Sequence, residues 1–383
     1  MTVWRIITGE YPPQTGGVSD YSRRVANGLA AEGDRVHAYA PPILAAEYLD
    51  RGVEIHRMPG HFDPRSLLRL GRELHKPSSR LEEEVVLVQY VPHSFGFKAM
   101  NLPFCLWLYA LSRTRRRILV MFHEATVPLR RRQPLQHQIL ASVTILMAML
   151  AAKAANVVFI STPAWKDRLI RFTGGRRIEW LPVPSNVSVA PDAEDAFAMR
   201  QSLKSDTIIG HFGGYDNSIS YSLKHLFPRL LERSAVSILL IGRDTIALRN
   251  SIIQGSPHLA SRVFATGGLP EKSISIALSS CDLMVQPYPD GVSTRRGSTM
   301  AGLAHQRAIV TTAGAFTEPI WFDSGAVALV PAGDDDALLG EVSRLASDES
   351  GRSRIASAGI RLYDERFALR HTIKALRAAA SEL

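Results

Sequence analysis

The sequence predicts an α/β protein built as two Rossmann-like, doubly wound domains. Three observations predict it. Short β-branched runs alternate with longer segments of helical period, the pattern of parallel sheets joined by crossover helices. The alternation halts at a Pro-, Ser- and Ala-rich stretch, PVPSNVSVAPDAEDAF, and then begins again. The 383 residues are enough for two or three domains, each with a core of its own.

Taken in order, the apolar runs predict strands at 4–8, 35–40, 53–57, 85–90, 118–122, 157–161 and 178–182. The linker follows, with no strand or helical period until about Asp195. The second set lies at 208–212, 236–241, 263–266, 283–286, 309–311 and 327–330. Helical stretches at 337–346, 351–362 and 368–381 close the chain, with no further strand and no repeat of solenoid period. The domains therefore span 1–190 and 191–383, and the final helix is a candidate to fold back onto the first.

Composition narrows the class. Cys105 and Cys281 are too few for a disulfide framework, and no Cys/His spacing resembles a zinc site, so a reducing compartment is expected. The first apolar run breaks at Gly9 and Pro12, unlike a signal peptide, which makes a cytoplasmic location the expectation. The longest apolar span, 139–152, stops at Lys153 and falls short of the roughly 18 to 20 residues a bilayer crossing needs, so it reads as a buried helix.

The net charge of +9 is N-terminal: residues 1–190 hold 25 Lys and Arg against 15 Asp and Glu, the remainder 20 against 21. Within that half the excess gathers at Lys98, Arg113, Arg115, Arg116, Arg117, Arg130, Arg131 and Arg132, with Glu124 the sole acid in the interval. Such a cluster attracts polyanions, whether anionic lipid or nucleic acid. No nucleic-acid reader motif accompanies it, so nucleic acid is the weaker partner. The stretch FKAMNLPFCLWLYALSRTRRR reads either as a core helix with a solvated basic end or as a surface helix docking on anionic lipid.

The first strand runs into GEYPPQTGGVSDYSRRVANGLAAEG, where Gly16 and Gly17 precede an amphipathic helix. Adjacent glycines there let backbone N–H groups approach an anion at the positive end of a helix. The loop is neither GxGxxG nor a Walker A sequence, which disfavours a dinucleotide dehydrogenase and a P-loop kinase. With the YPP before it and the strand RVHAYAP after it, it resembles the family 4 glycosyltransferases of the GT-B fold. That resemblance implies two domains facing across a cleft, with Gly16 and Gly17 against the donor phosphates or the reacting centre.

The next match is ILVMFHEATVP, where a strand runs out at His123 and Glu124. Ligands of open α/β sheets bind beyond the carboxyl ends of strands. The resemblance implies a functional His123 near the transferred sugar, with Glu124 beside it. NVVFISTPAWKDRL is similar to the family's stretch before the linker, and TIIGHFGGYDNSIS to the first strand and loop of its nucleotide domain, carrying Gly213 and Gly214. Here the chain departs from the family pattern. The Arg and Lys expected to grip the diphosphate are replaced by Tyr215, Asp216 and Asn217, and the first Lys is Lys224.

The stretch CDLMVQPYPDGVSTRRGSTMAGLAHQRAIVTTAG follows the outline of the family's donor motif, in which two glutamates eight apart hold sugar and ribose. Ser293 and Ala301 occupy those two positions, and neither is acidic. Asp290 with Gly291 echoes the Glu-Gly pair three residues early. Ser293, Thr294, Arg295, Arg296 and Ser298 open a helix, where hydroxyls, guanidiniums and free N–H groups make an anion site. Asp334, Asp335 and Asp336 precede a helix and read as its acidic start rather than as a metal-binding DxD.

The resemblance thus implies a hexosyltransferase-type enzyme that moves a sugar from a nucleotide-sugar donor to a hydroxyl acceptor with retention. Gly213, Gly214, Ser293, Arg295, Arg296 and Ser298 would hold the diphosphate and Asp290 the donor hydroxyls. No cofactor and no metal are expected, because arginines and a helix terminus neutralise the leaving group, and no dedicated base is needed, because the departing phosphate itself accepts the acceptor's proton. The basic first domain points to a lipid-linked or saccharide acceptor at an anionic membrane surface. A protein that kept the fold, lost the donor carboxylates and serves as a binding or scaffold subunit is the alternative.

Overall fold

A computed structural model describes residues 1–43, 50, 52–74, 83–114, 116–127, 133–190, 193–203 and 205–382. Arg115, Arg130, Arg131 and Arg132 of the basic cluster lie outside the described residues. The chain divides into two units, Met1–Val183 with Leu369–Leu383, and Pro184–Ala368. Each is an α/β unit around one parallel sheet.

In the first unit the elements are β1 (Thr2–Thr8), α1 (Gly17–Ala31), β2 (Arg35–Ala40), β3 (Val53–Arg57), α2 (Pro64–Leu74), β4 (Glu83–Tyr90), α3 (Leu102–Leu111), β5 (Arg117–Phe122), α4 (Leu135–Ala154), β6 (Val157–Ile160), α5 (Lys166–Leu169) and β7 (Ile178–Trp180). All seven strands are parallel, in the order β3-β2-β1-β4-β5-β6-β7. The central strands read as unbroken apolar runs because helices cover both faces, and Val85–Val88 and Ile118–Phe122 are buried almost completely.

The second unit runs α6 (Ala193–Ser202), β8 (Thr207–Phe212), α7 (Asn217–Arg233), β9 (Val236–Ile241), α8 (Thr245–Gly255), β10 (Val263–Ala265), α9 (Glu271–Ser279), β11 (Leu283–Gln286), α10 (Gly297–Ala304), β12 (Ala308–Ala313), α11 (Pro319–Asp323), β13 (Ala328–Pro331), α12 (Asp335–Ser347) and α13 (Glu349–Leu362). Its sheet is parallel in the order β10-β9-β8-β11-β12-β13. In both sheets the order reverses once, between β1 and β4 and between β8 and β11. Loops leaving the carboxyl ends of strands diverge at such a reversal and leave room for a ligand.

The last helix, α14 (Leu369–Ser381), packs on α1 of the first unit. Gly28 allows the approach, since a Cβ there would lie 2.7 Å from Cδ1 of Ile373. Arg377 adds polar contacts to Glu32 at 2.8 Å and to the buried Asp34 at 3.2 Å. The boundary after Val183 and the return of residues 369–383 differ from division at residue 190, because packing assigns residues regardless of their order in the chain.

One helix expectation is corrected. The apolar span is longer than the 139–152 run, because uncharged Gln136, His137 and Gln138 extend α4 to 20 residues. By length and composition α4 could cross a membrane, yet 39% of its most apolar stretch is buried, and Leu135, Ile139 and Leu146 face solvent. α3 packs on α4 and buries Phe104, Cys105, Leu108 and Leu111, leaving Leu106 exposed.

Candidate functional site

At the carboxyl end of β8 the chain turns through Gly213, whose φ of 146° favours glycine. A Cβ on Gly213 would lie 3.4 Å from Ser298, so the glycine loop and the start of α10 are in contact. Gly214 follows in the open, with nothing near its Cβ position. Ser298 is fixed in turn by Tyr288, whose hydroxyl lies 2.7 Å from the Ser298 Oγ and 2.9 Å from the Thr299 Oγ1. The structure therefore joins two of the segments singled out in the sequence, β8's Gly-Gly loop and the segment after β11.

Between β11 and α10 the chain presents Arg295 and Arg296. Arg296 lies over the Tyr288 ring, 4.4 Å from its centroid, and Arg295 over Phe316 at 5.3 Å. Both guanidiniums are ion-paired to the one carboxylate of Asp290. The structure gives Asp290 a contact that the sequence did not show. Asp290 is the counter-ion of the arginine pair, leaving one net positive charge at the amino end of α10. Arg296 Nε and Ser293 Oγ are buried without hydrogen-bond partners, polar atoms of the kind a bound oxyanion would satisfy.

One hydroxyl of the segment is held away from the ligand. Ser293 and Thr294 are fully buried, and Thr294 turns away to Glu318. Glu318 Oε1 accepts from Thr294 N at 3.1 Å and from Thr294 Oγ1 at 2.7 Å, while Oε2 accepts from Trp321 Nε1 at 2.8 Å. Sequence reasoning passed over this carboxylate; the Glu-Pro that starts α11 was its only signal. Gly291 is required by close approach, because its φ of 86° is left-handed and a Cβ would overlap Gly314 and Thr317. The loop carrying the arginines is thus pinned by Asp290, Gly291 and Glu318.

A cavity of about 480 Å³ lies beside this site, at the carboxyl ends of β8, β11, β12 and β13. Asn217, Tyr221, Tyr288, Thr312, Asp334 and Asp335 line part of it. Its two aspartates oppose a diphosphate, so the arginine loop is the better anion site. Asp334 caps α12 by accepting from Ala337 N at 2.9 Å, and Asp336 binds Arg229, the helix-start roles read from the sequence.

The corresponding strand ends of the first unit have a different character. Gly16 caps α1, and a Cβ there would overlap the Glu10 carboxylate. Gly17, the next residue, has nothing near its Cβ position. Burial raises the Glu10 pKa, Ser94 Oγ donating at 2.8 Å to Oε1 opposes the shift, and Asp20 and Glu124 reinforce it. Three carboxyl groups around Gly16 repel a diphosphate and suit sugar or acceptor hydroxyls. Of the two places the resemblance implies for Gly16 and Gly17, this charge favours the reacting centre over the donor phosphates.

His123 follows β5 and is buried, its Nε2 2.8 Å from the Gln89 Oε1 and its ring edge-to-face with Tyr21 at 4.6 Å. Burial lowers its pKa to about 3. It is a neutral hydrogen-bonding group and not a cation. Its carbonyl accepts from Ser161 Oγ at 3.0 Å and Trp165 Nε1 at 3.2 Å, which fixes the backbone of the strand end.

Residues 206–348 match the family of glycosyl transferases group 1. They contain the Gly213 loop and the whole arginine segment. This is a GT-B glycosyltransferase. The fold of the enzyme is similar over 100% of its chain to sucrose-phosphate synthase (tll1590) from Thermosynechococcus elongatus, covering 99% of that chain, with a TM-score of 0.75 and 15% identity. It is similar to Anabaena Alr3699/HepE in complex with UDP and glucose over 100% of both chains, with a TM-score of 0.71 and 15% identity. The trehalose 6-phosphate synthase of Burkholderia multivorans matches over 100% of this chain and 99% of its own, with a TM-score of 0.68 and 14% identity. No curated protein sequence matches the chain.

Proposed function

We propose that the enzyme is a retaining, family 4-like transferase that moves a sugar from a nucleoside-diphosphate donor to a hydroxyl of a lipid-linked or saccharide acceptor. The observation that carries this reading is the arginine pair at the amino end of α10, both members held by the single carboxylate of Asp290. A diphosphate is the ligand that two adjacent guanidiniums, a helix amino terminus and a glycine loop together recognise. The Anabaena structures with UDP and with UDP-glucose support a nucleotide-sugar as the donor class.

In this reading the donor diphosphate displaces Asp290 from at least one arginine. Arg295, Arg296 and the first N–H groups of α10 then stabilise the charge that builds on the leaving group, the effect on which such catalysis chiefly rests. Asp290, released, is placed to accept a hydroxyl of the donor. His123 stays neutral, so it acts as a hydrogen-bonding group toward sugar or acceptor, with Glu10, Asp20 and Glu124 as hydroxyl acceptors nearby. The leaving phosphate takes the acceptor's proton.

Charge at the leaving group comes from the chain, so transfer is expected to proceed without a divalent ion. A radiolabelled-donor assay over a panel of nucleotide-sugars, run with and without EDTA, tests both statements. Hydrolysis or transfer that EDTA leaves unchanged is the expected result. Turnover that EDTA abolishes and magnesium or manganese restores would overturn metal independence, and failure of every donor to bind would overturn the donor assignment.

A further inference from the structure

Outside the transferase site, His37, Glu54 and His56 bring three metal-ligating atoms into one small triangle on the first unit. His37 lies on β2, and Glu54 and His56 lie on β3, the edge strand of the sheet. The parallel register sets His37 opposite Glu54, and alternation puts His56, two residues on, over the same face. His37 Nδ1 is 3.1 Å from His56 Nε2, Glu54 Oε2 lies 3.3 Å from His37 Nδ1, and Glu54 Oε1 lies 3.3 Å from His56 Nε2. Among the described residues it is the one group of three or more His, Cys, Asp or Glu so arranged.

We propose that this triad binds one Zn²⁺ and staples the edge strand β3 to β2. Metal–ligand bonds of about 2.0–2.1 Å at tetrahedral angles separate the ligand atoms by about 3.3 Å, close to the 3.1 Å between the nitrogens and the 3.3 Å from each nitrogen to its nearer Glu54 oxygen, and a turn of the exposed carboxylate brings one oxygen to both. The rings are oriented for the task. His56 stacks on Tyr39, centroids 4.6 Å apart and 12° from parallel, and the Tyr39 hydroxyl accepts from Arg5 Nη1 at 2.9 Å. The Arg5 charge is met by Glu84 at 3.0 Å, so this neighbouring cation is already paired.

Without an ion each imidazole can donate one N–H to its own Glu54 oxygen, which leaves the 3.1 Å approach of the two ring nitrogens with no proton between them. Two imidazole nitrogens and a carboxylate face one another, and each nitrogen brings at most one proton to share. One divalent cation replaces those protons, with His37 protonated at Nε2 and His56 at Nδ1. Two neutral imidazoles and one carboxylate suit zinc. The fourth position opens to solvent on the Glu54 side, whose side chain is 65% exposed, and such an open wet site is unlike the shielded cavity of an iron oxygenase.

Titration of the EDTA-treated, dialysed full-length enzyme with Zn²⁺ by calorimetry tests the assignment, with Co²⁺ as a spectroscopic stand-in. The expected result is one Zn²⁺ per chain, a melting temperature that rises with Zn²⁺ concentration, and the strong visible absorption of four-coordinate Co²⁺. His37→Gln and His56→Gln should each weaken binding by on the order of 100-fold, and Glu54→Gln by about tenfold. Glu54 is largely exposed, so its variant folds and keeps the test decisive. Absent binding, equal binding in the His37→Gln/His56→Gln double variant, or the weak absorption of six-coordinate Co²⁺ would overturn the proposal.

Discussion

At the scale of single residues, the two arginines and Asp290 decide how the donor half works. Each guanidinium that meets a developing phosphate charge is worth on the order of 10²-fold in rate. Arg295→Ala and Arg296→Ala should each lower kcat/KM by about that factor while leaving the melting temperature near that of the wild type, and steady-state kinetics with thermal melts would show it. Asp290 competes with the diphosphate for the same cations. Asp290→Asn should therefore tighten a free nucleoside diphosphate by roughly 3- to 10-fold, the scale of a partly exposed ion pair, and lower kcat. Calorimetry that finds weaker binding in Asp290→Asn would show that Asp290 positions the arginines rather than competing with the ligand.

Among elements, the α3–α4 pair and the α1–α14 pair carry separate expectations. The basic cluster seen in the sequence is partly spent, because Arg116 pairs with Glu84 at 2.9 Å and Arg117 with Glu83 at 3.0 Å. Arg113, Lys153 and Arg176, with Tyr109, line a cavity of about 350 Å³ at one end of α3 and α4. Leu106, Leu135, Ile139 and Leu146 are exposed on the same two helices. The expected outcome is reversible docking on anionic membrane, at about 1 kcal/mol per basic residue and weakening with salt. Co-sedimentation with anionic vesicles should fall when Arg113, Lys153 and Arg176 are neutralised together, and binding equal for neutral vesicles would count against it. On the other pair, Gly28→Leu would push a side chain into Ile373 and cost about 1–3 kcal/mol, read from urea unfolding.

For the whole molecule, acid must charge a buried histidine in each unit. Burial lowers His123 to about 3 and His211 to about 4, both from an ordinary value of 6.5. Between the folded and ordinary values the unfolded chain binds more protons than the folded one, so stability is complete above about pH 6.5 and declines as pH falls. Each histidine should remove about 2 kcal/mol between pH 6.5 and 5. Urea unfolding at pH 7 and pH 5 should show the loss, and His123→Gln should flatten it. An unchanged slope in that variant would place the acid sensitivity elsewhere.

Thirteen strands, two sheets and the loops that bear the glycines were legible in the sequence, because strand propensity, apolar runs and Gly-Gly breaks act over a few neighbouring residues. Arg295 and Arg296 were legible too, as charges set at a helix start. That Asp290 would clasp both of them was not, since a carboxylate five residues away reaches a guanidinium only by the path of the loop. Glu318, 24 residues from Thr294, was invisible for the same reason: β12 and the turn before α11 bring it back beneath the arginine loop. The neutral state of His123 likewise depends on the burial that α1 and β4 impose through Tyr21 and Gln89. The sequence alone determined which elements form and in what order, because those preferences are local. Only the tertiary structure decided which charges meet and which are buried, because Coulomb and desolvation energies depend on distance in space and not along the chain.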